Sequence, residues 1–271
     1  MNLATKKSTL SAAMLGCLLI SHGAHASIVV DAVNGWHNNN GQTTNTTLTV
    51  GNNPDRILIV AFASAGKTTD PQPTVVEFAN QPMTLLATTP DPYFATRMRS
   101  SLYYLLNPPV GTYAAYIQTD IPGPITVQAM SLYGVEQTAP TITGSTAWVD
   151  NTSSIATNVS TADDDSILVS VATIGGGSPF LVPGAGVTQH NLQHANGPST
   201  FDEVRAYFGT KLAPTAGSQS VSWSMNTGTN YQGTQTVVAL SPAGAGIPEP
   251  ISLSLMGTGA LCLGALRRRR R

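Results

Sequence analysis

Only 10% of the 271 residues are charged and the formal net charge is −1, against a usual charged share of about 25%. Residues 27–246 hold six basic and 13 acidic residues, a net of −7, and a body without a basic cluster excludes nucleic-acid binding by counterion displacement. Both cysteines, Cys17 and Cys262, lie outside that body, so it has no disulfide framework, no thiolate metal site and no Cys nucleophile.

The first 26 residues have the three parts of a secretory signal. Lys6 and Lys7 form a positive n-region, and Leu10 to Ile20 an apolar h-region. Ala24-His25-Ala26 supplies the small-x-small pattern that a signal peptidase accepts, with Ser27 as the first mature residue. The h-region is shorter than the roughly 20 residues of a membrane span. Leu15-Gly16-Cys17 offers a rival lipoprotein box. Met14 and Leu15 depart from that pattern, and acylation of Cys17 truncates the apolar core, so the plain signal peptide is preferred.

From there to residue 246 no heptad or sustained helical stripe occurs. Short apolar runs alternate with turn residues instead, which predicts strands over 56–63, 74–78, 83–88, 100–106, 113–119, 125–133 and 142–149. Further strands follow over 155–160, 166–174, 186–193, 203–212, 219–225 and 234–240. Asn107-Pro108-Pro109, Ile121-Pro122-Gly123-Pro124, Gly175-Gly176-Gly177 and Ala213-Pro214 read as breakers. The nearly continuous apolar runs Ile57 to Phe62 and Ile167 to Ala172 predict central core strands. Each follows an Asp-bearing turn, Asn53-Pro54-Asp55 or Asp163-Asp164-Asp165, but no further register of identity links the halves. The expected fold is all-β, a single antiparallel β-sandwich over 27–246.

Several side chains are candidates for chemistry. Asp163, Asp164 and Asp165 suit a calcium site or, more simply, a solvated turn. His190 and His194 have the spacing of a helical zinc pair, but in a strand they stand about 13 Å apart, too far to share one metal. His37 is the remaining histidine of the body. No Gly-x-Ser-x-Gly elbow is present, and the adjacent Asp202 and Glu203 point to opposite faces of a strand, so neither makes a catalytic set. Trp36, Trp148, Trp223, Tyr103, Tyr104, Tyr207 and Tyr231 include candidates for a sugar-stacking platform or for core packing. Asn45, Asn151 and Asn158 head Asn-x-Ser/Thr triplets, which a Thr-rich chain also produces by chance. No catalytic residue, metal or cofactor is assigned.

The last 25 residues form a separate unit. Ile247 leads into Pro248-Glu249-Pro250, followed by 16 mostly apolar residues from Ile251 to Leu266 and then Arg267, Arg268, Arg269, Arg270 and Arg271. As a helix the apolar run spans about 24 Å, and the arginines hold its end in the cytoplasm. The prolines keep the segment before it extended. In order, spacing and terminal position this tail resembles the PEP-CTERM sorting signal of Gram-negative bacteria. That resemblance implies a sorting signal over 247–271 with a single transmembrane helix on its apolar run, processing by exosortase near the motif, and delivery to the cell surface or a polysaccharide-rich matrix. An ordinary C-terminal anchor is the plainer alternative.

Residues 55–242 also loosely resemble a jelly-roll-like β-sandwich module of bacterial secreted and phage-associated proteins. Ser101 to Gly111, Leu132 to Pro140 and Val237-Val238-Ala239-Leu240 carry that likeness. The resulting expectation is an exported, non-enzymatic surface or matrix protein with exopolysaccharide as a candidate contact. The expected processing partners are signal peptidase and exosortase. A secreted carbohydrate-active enzyme on the same scaffold is the competing reading, and it needs two carboxylates about 5 to 9.5 Å apart.

Overall fold

A computed structural model describes residues 27–66, 69–90, 98–147, 153–175, 180–197, 203–225 and 233–244. These residues are all-β, with no helix among them. Ala24, Ala26 and the whole tail, including Pro248, Glu249, Pro250 and Arg267 to Arg271, lie outside the described residues. Ser27 lies within them and is exposed.

The first half runs β1 (Val29–Val50), β2 (Ile57–Ala65), β3 (Pro73–Phe78), β4 (Gln81–Pro82), β5 (Thr84–Pro90), β6 (Met98–Leu106) and β7 (Gly111–Tyr133). The second runs β8 (Thr143–Ala147), β9 (Ser154–Thr161), β10 (Ser166–Ile174), β11 (Leu181–Pro183), β12 (Val187–Ala195), β13 (Val204–Ala213), β14 (Gly217–Met225) and β15 (Gly233–Leu240). Every strand ladder is antiparallel.

β1 and β7 are long because each serves two layers. Their mutual register slips on both sides of Gly41, opposite Gly123. The Pro122-Gly123-Pro124 segment, expected to end a strand, therefore bends a ladder that continues through it. The inner arms of β1 and β7 join β2, β6 and β5, while the outer arms join β3 and β4. Leu48, Val50 and Ile117 of the outer arms, with Val76 and Phe78 of β3, pack against Leu58, Val60, Phe62 and Val127 of the inner layer.

In the second half the same layers are separate sheets. One is ordered β12-β13-β10-β15-β8 and the other β11-β14-β9. Between them lie Leu168, Ala172, Val237 and Tyr207 on one side and Ile155, Val159, Val221 and Trp223 on the other. A third cluster joins the two inner layers, through Ile57, Ile59, Met130 and Leu132 against Val169, Val171, Phe208 and Val238. This is why β2 and β10 are buried at every position: each is covered on both faces, and a strand so covered reads as a continuous apolar run.

The halves are two copies of one pattern. β8–β15, β9–β14, β10–β15, β10–β13, β12–β13 and β11–β14 repeat the pairings of the two β1–β7 arms, β2–β7, β2–β6, β5–β6 and β3–β7 in turn. A bulge falls at the same place in each, between Leu85 and Ala87 and between Gln189 and Asn191. Asp55 and Asp165 both sit in the left-handed region, at φ 53° and 56°, which Asp tolerates in turns. Gly111 and Gly217, at 126° and 121°, open β7 and β14 in a conformation that only glycine adopts without strain. The body His25–Gly246 is one compact unit, within which the described residues make two two-layer halves that share the central cluster.

Their stacking is that of a twofold dimer. β1 lies against β12 while β5 lies against β8, and β6 meets β15 while β7 meets β13. Such exchange of partners is the mark of an isologous interface. Hydroxyls lace one side of it: Thr89 and Ser100 of the first half each stand 2.8 Å from the Thr236 hydroxyl of the second.

Candidate functional site: a groove at the bend of β1

Most of the sequence candidates prove to be structural. Asp164 accepts a hydrogen bond from the Ala216 amide at 2.7 Å, and the Asp163 carbonyl accepts one from the Ser166 hydroxyl at 2.6 Å. With Asp165 in the left-handed region, the three acids shape a turn before β10. Among the described residues no group of three or more His, Cys, Asp or Glu gathers where a metal could sit. His190 occupies the β12 bulge, with Nε2 2.7 Å from the Thr210 hydroxyl. His194 faces Glu203 instead, at 3.6 Å. The two histidines thus have separate partners. Burial lowers the pKa of both below the ordinary 6.5, with Arg205 adding to the effect at His194 and Glu203 opposing it. Asp202 lies outside the described residues.

The aromatic candidates divide by burial. Trp223 and Tyr207 are core residues, with ring centroids 5.7 Å apart. Tyr103 is buried as well, and that burial pushes its hydroxyl up to about 12. Tyr104 packs partly buried against the central cluster, and Trp148 and Tyr231 lie outside the described residues. Trp36 alone of the described candidates is open, at 60% exposure.

Trp36 stands where β1 turns from the inner layer to the outer one. Together with His37, Asn38, Asn39, Thr43, Thr44 and Asn45 it lines an open groove of about 530 Å³. The bend is held by its own amides. Asn38 Nδ2 donates to the Thr43 carbonyl at 2.8 Å, and its Oδ1 accepts from the Asn40 amide at 3.2 Å. Across the seam between the halves, Asn39 Oδ1 accepts from the Asn196 amide at 2.9 Å. His37 Nδ1 lies 3.2 Å from Gln193 Oε1. An amide oxygen only accepts, so the Nδ1 of neutral His37 carries the proton and Nε2 is left as an acceptor. The His37 ring stacks beside the indole, with centroids 5.7 Å apart and planes 18° off parallel.

Thr44 is one of the residues that line this groove. It is 4% exposed, and its hydroxyl has no hydrogen-bond partner. A buried hydroxyl left unpaired costs about 1–3 kcal/mol. The equivalent position in the second half is Ile155, a buried core residue, so the fold itself does not require a polar group there. The register likewise sets Thr146 opposite Trp36 and Ala156 opposite Asn45 as equivalents. The copies therefore differ in chemistry where they agree in backbone.

The chain matches no family model, no curated protein and no solved structure. Chemistry must be read from the groove alone. It offers an exposed indole face, side-chain amides that both donate and accept, and one buried hydroxyl without a partner. No carboxylate is among its lining residues, and His37 stands in it without the further His, Cys, Asp or Glu that would complete a metal site among the described residues.

Proposed function

We propose that the chain is an exported, non-enzymatic protein of the cell surface or biofilm matrix, and that it contacts extracellular polysaccharide through the Trp36 groove. The tail supports the first part. Pro248-Glu249-Pro250, the apolar run and the five terminal arginines resemble a signal processed by exosortase after transient residence in the inner membrane. The Ala24-His25-Ala26 pattern supports removal of the leader by signal peptidase. In the second half the strand orders are first-eighth-third-sixth-fifth in one sheet and second-seventh-fourth in the other. That order supports reading each half as a jelly-roll-like antiparallel sandwich.

One observation carries the polysaccharide contact: Trp36 holds its ring 60% exposed beside a row of amide side chains. Aromatic rings of this kind usually bury 150–250 Å². An indole left open next to polar groups suits the apolar C–H face and hydroxyl rim of a sugar. The test is fractionation of a native-host biofilm producing wild-type or Trp36→Ala protein. Wild type should partition with the matrix, and the variant should shift to the medium with an unchanged melting curve. Identical partition of the two proteins would contradict the contact.

A further inference from the structure

The groove also carries information about which polysaccharide it suits. We infer that it takes an uncharged pyranose of a neutral polysaccharide, with a sugar C–H face on the Trp36 indole and a sugar hydroxyl bonded to Thr44. The inference rests on the polysaccharide reading above and narrows it to one chemical class.

Charge is the first argument. None of the seven lining residues carries a fixed charge. Recognition of an acidic sugar calls for a guanidinium or ammonium, since bidentate Arg–carboxylate pairs supply both energy and geometry. The described cations are engaged elsewhere. Arg99 is paired with Asp70, Arg56 donates to the Asn53 and Pro108 carbonyls, Lys211 donates to the Ser220 carbonyl, and Arg205 lies over the Phe180 ring. A body with a net charge of −7 also repels a polyanion, within the roughly 8–10 Å reach of screened charges.

Thr44 is the second, independent argument. It is a lining residue of the groove with a buried hydroxyl that has no partner, at a position where the other half of the molecule carries Ile155 in its core. A sugar hydroxyl donates and accepts, and either role satisfies Thr44. Stability alone favours an apolar residue there. Thr44→Val therefore separates a binding role from a packing role: it removes the hydroxyl and keeps the shape.

The experiment is native affinity electrophoresis of the mature protein through gels containing soluble glucan, galactan or mannan, or a polyuronate. At least one neutral polymer should retard wild type, and the polyuronate should not. Trp36→Ala should abolish the retardation. Thr44→Val should weaken it about fivefold, the equivalent of one hydrogen bond, with a melting temperature equal to or above that of wild type. Retardation by the polyuronate that Trp36→Ala removes would overturn the neutral class and leave the polysaccharide contact standing. Retardation that survives Trp36→Ala would overturn the groove, and retardation by none of the four polymers would overturn the contact itself. Full binding by Thr44→Val would remove Thr44 from the site.

Discussion

Asp70 is fully buried and accepts from Arg99 Nε at 2.8 Å and from Gln72 Nε2 at 3.0 Å. Burial raises its pKa above the ordinary 3.8, and the Arg99 partnership only partly offsets this. A carboxyl raised in this way contributes stability that is fully present below 3.8 and is lost as pH rises through the folded value. Replacing Arg99 by Met removes the offset. The account predicts a loss of about 3–5 kcal/mol near neutral pH, part of which returns on acidification as Asp70 takes up a proton. Urea denaturation of Arg99→Met across pH checks this, and a loss that grows on acidification would contradict it. His190 and His194 act with the opposite sign. Their lowered pKa values make a contribution that is present above 6.5 and lost as pH falls through the folded values. The melting temperature should therefore fall between about pH 7 and pH 5. The slope should be shallower in the double variant His190→Gln, His194→Gln.

Among the elements, the strands built from apolar runs were legible in the sequence, while β1 was not. Its outer arm carries Thr44, Thr46, Leu48 and Val50 inward and polar residues outward, so half of its buried face is threonine and the alternation has little hydrophobic contrast. The repeat was hidden for a related reason. The two copies keep register, bulges and turns, but they exchange large and small side chains. Tyr103 and Ile117 of the first half correspond to Gly209 and Trp223 of the second, so the large side chain changes strand and the letters change with it. A Cβ on Gly209 would meet the Thr188 carbonyl at 2.9 Å and the Trp223 ring at 3.0 Å. Gly209→Ala should cost about 1–3 kcal/mol through overpacking, read as a drop in melting temperature. An unchanged melt would show that the Trp223 ring has room to move. The site was half legible: Trp36 stood among the aromatic candidates, but only burial separates it from Trp223. Thr44 was one threonine among many.

For the whole molecule, a shared central cluster makes the two halves a single folding body, and the proposed function assigns the basic, apolar ends to export and sorting. The central claim is that this body is exported and trimmed at both ends before it reaches the matrix. Intact-mass spectrometry of protein recovered from the matrix of a native host tests that claim most directly. The account predicts a chain that begins at Ser27 and lacks the apolar stretch from Ile251 to Leu266 together with all five terminal arginines. Glu249→Ala, which removes the one charge between Pro248 and Pro250, should leave the tail in place. Wild-type protein from the matrix with its C-terminus still at Arg271 would contradict the claim.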